Sequence, residues 1–92
     1  MKVIQTRTFS KALKKLHANQ KKALDAAVKV VMADPSIGER KTGDFTGVFV
    51  YKFKMAKHMT LLAYSYEHKI VTLTLLALGS HENFYRDLKR SS

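Results

Sequence analysis

The chain has 92 residues, of which 46% are hydrophobic and 26% charged, and its 17 Lys+Arg against 7 Asp+Glu leave a net charge of +10. That hydrophobic content excludes intrinsic disorder, which needs low hydrophobicity together with high charge, and the length fits one domain spanning 1–92. With no cysteine, a disulfide framework and cysteine-ligated zinc or iron–sulfur centres are excluded, and the longest apolar stretch (Leu73 to Leu78) is strand length rather than bilayer length.

Val3 to Thr8 alternates weakly and is β-branched, which predicts a first strand. Ser10 is the expected N-cap of a helix with Leu13 and Leu16 on its apolar stripe and Phe9 as a staple before the cap. Asn19 reads as the next N-cap, and Leu24, Ala27, Val28, Val31 and Met32 recur at helical spacing. Asp34-Pro35 ends that helix, because the residue before proline avoids the α region. The two helices therefore form a hairpin joined near His17–Asn19. Residues 35–47 hold Pro35, three of the four glycines and mixed charges, and read as a loop.

After Gly47 the period changes from 3.6 to 2. Phe49, Tyr51, Phe53 and Met55 fall on one face of a strand; Val48, Val50, Lys52 and Lys54 fall on the other. Thr60–Tyr66 and Ile70–Leu78 give two further strands with a tight turn around Glu67-His68-Lys69. Gly79-Ser80 stops the last strand, and Ser80 caps a helix from His81 to Arg90 with Phe84 and Leu88 as its docking stripe. The order β-α-α-β-β-β-α predicts an α+β fold, with a helical hairpin and a C-terminal helix packed on one mainly antiparallel sheet.

A +10 chain this small attracts polyanions: nucleic acid, an anionic membrane surface or an acidic protein. Lys11, Lys14, Lys15, Lys21 and Lys22 read as a solvated helix surface. The stretch from Phe45 to Tyr66 differs, since it holds Lys52, Lys54, Lys57 and His58 and no acidic residue. Lys52 and Lys54, two residues apart on one strand face, lie about 6.6 Å from each other at Cα. Two such ammonium groups repel, and an anion brought between them relieves that. His81 opens a helix whose N-terminal dipole favours a neutral, proton-accepting imidazole, and Tyr85 is four residues on. Cations, an imidazole and a phenol suit phosphodiester cleavage in RNA. That reaction needs a base for the 2′-hydroxyl, charge over the phosphorane and an acid for the departing oxygen. The carboxylates are scattered without metal-ligand spacing, so a metal-independent mechanism without a cofactor is expected.

On Tyr51-Lys52-Phe53-Lys54, Leu61-Leu62-Ala63-Tyr64 and Leu78-Gly79-Ser80-His81-Glu82-Asn83-Phe84, the chain resembles toxins of the RelE/ParE superfamily from bacterial type II toxin–antitoxin modules. The resemblance extends over nearly its whole length. The first motif is similar to RelE, the last to the YafQ-like branch. It implies a cytoplasmic, ribosome-dependent endoribonuclease that cleaves mRNA and is neutralised by an acidic cognate antitoxin. The alternative is a ParE-type inhibitor of DNA gyrase. Carried onto this sequence, the catalytic set is His81, Lys52, Lys54 and Tyr85, with Lys57, His58, Phe84, Arg86, Lys89 and Arg90 as RNA contacts and no metal ligands. Leu61 stands where RelE has an arginine, and Met55–Met59 lacks the aligned His and Asp of YafQ-like proteins.

Overall fold

The computed structural model describes residues 2–41, 43, 47–55, 57–67 and 72–80. Among them lie β1 (Lys2–Gln5), α1 (Arg7–Lys14), α2 (Ala18–Ala33), a 3-10 turn at Pro35–Ile37, β2 (Glu39–Arg40), β3 (Phe49–Met55), β4 (His58–Glu67) and β5 (Thr72–Ser80). The strands form one sheet in the order β1-β5-β4-β3-β2. Only β1 against β5 is parallel; β2–β3, β3–β4 and β4–β5 are antiparallel. The architecture is the expected α+β one, with a helical hairpin on a mainly antiparallel sheet. The expected C-terminal helix, and His68 and Lys69 of the expected turn, lie outside the described residues.

Several element ends differ from the sequence expectation, each for a local reason. β1 stops at Gln5 because extended Thr6 (φ −75°, ψ 165°) caps α1, its side chain accepting the Phe9 amide at 3.2 Å. Ser10 therefore sits inside α1 and donates its hydroxyl to Gln5 Oε1 instead of capping. Phe9, expected as a staple outside the helix, is a buried core residue within it. His17, not Asn19, is the N-cap of α2: its amide donates to Gln20 Oε1 at 2.8 Å, while Asn19 Oδ1 accepts the Gln20 amide. The expected loop 35–47 contains a helical turn and β2, a two-residue strand too short to show alternation. β4 begins at His58 rather than Thr60. β5 runs on through Gly79 and Ser80, which pair with Leu61 and Thr60, so Ser80 is a strand residue.

Packing follows the two periods. Leu24, Ala27 and Val31 of α2 are buried at helical spacing, whereas Met32, expected on the same stripe, is 36% exposed. They join Phe9, Met55, Leu62, Tyr64, Leu75 and Leu78 in the core between hairpin and sheet. Each Leu, Val, Phe or Met side chain among them contributes about 1.5–3 kcal/mol on full burial. Phe49, Tyr51 and Phe53 extend this face as an aromatic row: Phe49 stacks on Tyr64 with centroids 5.6 Å apart, and Tyr51 stacks on Phe53 at 6.1 Å. The β4–β5 register shifts between Ala63 and Tyr64, which pair with Ala77 and Leu75, leaving Leu76 as the extra residue of a bulge. Leu75 and Leu78 can thus both be buried in the same core although three residues apart.

Tyr64, fully buried at the centre of β4, ties the chain after α2 to the sheet. Its hydroxyl donates to the Pro35 carbonyl at 2.6 Å and accepts the Gly38 amide at 3.0 Å. Gly38 is required by proximity: a Cβ there would stand 2.6 Å from the Tyr64 hydroxyl. Tyr64→Phe leaves the part-buried Gly38 amide and Pro35 carbonyl without this partner, and we expect a loss of about 1 kcal/mol in urea unfolding. Gly38→Ala should lower the same midpoint by displacing the hydroxyl. Burial, reinforced by Tyr66 and Asp34 and opposed by the Gly38 amide, raises the Tyr64 pKa above 10.0. The folded state thus binds that proton more tightly than the unfolded one. The stabilisation is complete below pH 10 and is lost as pH rises from there through the folded-state value, so alkaline unfolding should become shallower in Tyr64→Phe.

The β3–β4 turn supplies a further test. Lys57 has φ 73°, a region costly for any residue with a Cβ. Lys57→Gly should raise stability by up to about 1 kcal/mol, the αL relief of ~1–2 kcal/mol less the added unfolded-state entropy of glycine. Lys57→Val should lower it, and thermal unfolding of the pair distinguishes the signs.

Candidate functional site

β3 has one greasy side and one charged side, and the helices decide which is which. With Phe49, Tyr51, Phe53 and Met55 turned to the hairpin, Val50, Lys52 and Lys54 are turned to the opposite face. On that face Val50, Leu61 and Ala63 are buried, while Lys52 and Lys54 are exposed. Register pairs Lys52 with Leu61 and Lys54 with Met59. Among the described residues the ion pair on this side is Lys41–Glu39 at 3.4 Å, which occupies the Glu39 carboxylate and leaves the Lys52–Lys54 pair uncompensated. Two exposed ammonium groups held side by side on one strand face repel each other, and an anion placed between them relieves that repulsion.

The end of β5 lies across from this pair. Phe53, between the two lysines, pairs with Thr60, and Thr60 pairs with Ser80. Two strand spacings, about 10 Å, therefore separate Ser80 from the middle of the lysine pair. Met59, not singled out from the sequence, is 48% exposed and faces the same side as its partner Lys54. Its signal was present: an apolar residue in phase with Leu61 and Ala63 at the strand's wet end.

The other expected contacts divide. Lys57 is exposed at the β3–β4 turn. His58 pairs with Met55 and so takes the helix face, away from Lys52 and Lys54. There it lines a cleft with Lys11 and Lys15, residues that read from the sequence as solvated surface. His81, Phe84, Tyr85, Arg86, Lys89 and Arg90 lie outside the described residues. Among the described residues no three His, Asp or Glu side chains gather as a metal site, and no helix is long and apolar enough to cross a membrane.

Comparison with solved structures finds the same fold in toxins. A doubly substituted free form of E. coli toxin RelE superposes with a TM-score of 0.74 at 16% identity, covering 98% of this chain and 90% of that one. The intact E. coli RelBE toxin–antitoxin complex gives 0.70 at 18% identity, covering 88% and 96%. A conserved hypothetical protein from Helicobacter pylori gives 0.57 at 17% identity, covering 88% and 94%. No curated protein matches the chain in sequence. The family model of the ParE-like toxins of type II bacterial toxin–antitoxin systems matches residues 3–89. With nearly the whole chain matched and the RelE fold in place, this protein belongs to the ParE-like toxins of type II toxin–antitoxin systems.

Proposed function

We propose that this toxin cleaves mRNA engaged on the ribosome, with Lys52 and Lys54 gripping the scissile phosphate. The exposed lysine pair on the face of β3 opposite the helices supports this reading above all, since it is uncompensated by a carboxylate among the described residues. A phosphodiester carries one negative charge in the ground state and gains charge as the 2′-hydroxyl attacks. Two fixed cations therefore favour the phosphorane more than the substrate. The reaction also requires a proton acceptor at the 2′-oxygen and a donor at the departing 5′-oxygen.

His81, covalently next to Ser80 at the end of β5, is assigned to proton transfer, with Tyr85 holding a proton or stacking a base. Lys57, Phe84, Arg86, Lys89 and Arg90 are assigned to the RNA beyond that phosphate. His58 faces the helix side and has no part in this catalytic set. The reading uses acid–base groups and ammonium charge, with no metal or cofactor. The likeness to an E. coli toxin–antitoxin complex supports neutralisation by a cognate antitoxin, and the +10 charge favours an acidic one.

In a reconstituted translation reaction, Lys52→Ala/Lys54→Ala should lower transcript cleavage by about 10²-fold or more, and His81→Ala should do likewise, with unfolding midpoints unchanged. Wild-type cleavage by either variant overturns the assignment. Stoichiometric inhibition of DNA supercoiling by the purified toxin, with transcripts intact, would establish gyrase as the target instead.

A further inference from the structure

A cleft of about 770 Å³ opens on the helix side of the sheet, between α1 and the β3–β4 turn, on the face opposite Lys52 and Lys54. Lys11 and Lys15 line one wall. They are four residues apart on one helical face, so their charges repel across about 6 Å of axial rise. His58 lines the other wall, and every ionisable residue among the described lining is basic. The floor is apolar, made by Leu16, Met55 and Leu78. A volume of this order accommodates a nucleotide-sized ligand.

The cations do not stop at the cleft. From Lys11, Lys15 and His58 they continue through exposed Lys57 at the hairpin tip to Lys54 and Lys52 on the other face. A track that wraps an edge suits a flexible polyanion, with phosphates on the lysines and a base against the apolar floor.

We propose that this cleft is a second RNA site, holding a single-stranded segment that flanks the phosphate gripped by Lys52 and Lys54; the proposal rests on the reading of the toxin as RNA-directed. Binding there is separable from cleavage, because among the described residues none that lines the cleft belongs to the catalytic set.

Two methionines report the two faces: Met55 lies in the cleft floor, and Met59 stands beside Lys54. A 2′-O-methyl oligoribonucleotide, which lacks the attacking hydroxyl, is titrated into the full chain while the methionine methyl resonances are followed. Shifts at both Met55 and Met59 are expected, and a shift confined to Met59 overturns the cleft. By fluorescence anisotropy, Lys11→Ala/Lys15→Ala should weaken the same oligonucleotide at least tenfold. It should also flatten the log Kd against log salt slope by about 1.4, two phosphates at ~0.7 each. Both substitutions are at exposed positions, so the unfolding midpoint should hold. Unchanged RNA affinity overturns the proposal, as does a variant that loses affinity for a poly-glutamate peptide while keeping it for RNA. Failure of the cleavage reading registers separately, in the transcript assay with Lys52→Ala/Lys54→Ala, and leaves the Met55 shift in place.

Discussion

The two-residue period of β3 is the constraint on which the molecule's chemistry depends. Its aromatic row is pulled against the helices by burial, and the lysines are carried to the far side because adjacent side chains on a strand cannot share a face. A one-residue slip would place two ammonium groups in the core and strip the far face of Lys52 and Lys54, a penalty no surface contact could offset. The hydrophobic effect thus aims the charges, although it acts only on their neighbours.

That alternation needs a rigid frame. Tyr64 provides part of it from the centre of the sheet: its ring stacks on Phe49 of β3, and its hydroxyl holds both the Pro35 carbonyl and the Gly38 amide. The segment that leaves α2 is thereby delivered to the sheet edge, where β2 pairs with Phe49 and Val50. Arg40 of β2 then places its guanidinium 5.9 Å from the Phe49 ring centre, extending the aromatic row with a cation on the helix side. One phenol joins three non-adjacent parts of the chain, so its polar atom is satisfied within the packed interior.

Much of this was legible in the residues. The Phe49–Met55 alternation announced the strand and its two faces, and the spacing of Leu24, Ala27 and Val31 announced the buried stripe of α2, because burial imposes both patterns directly. Helix starts were harder: Thr6 and Ser10, or His17 and Asn19, are each chemically able to cap, and the choice rests on backbone angles that no side-chain pattern records. β2 escaped notice because two residues carry no periodicity. The site was half legible. Lys52 and Lys54 could be assigned to one face from β3 alone. The face taken by His58 depends on its pairing with Met55 across a tight turn, and the approach of Lys11 and Lys15 to it depends on where α1 docks.

The bulge at Leu76 bears on how such a protein can diversify. Excising that one residue would restore an even ladder, with Leu75 opposite Tyr64 and Ala77 opposite Ala63 as before, so the interior would keep its leucines. What would change is the local bend of β5, and with it the point in space where the polypeptide departs from Ser80. A single insertion or deletion there works as a steering adjustment, re-aiming everything downstream toward or away from the cationic edge while the packed interior stays as it is.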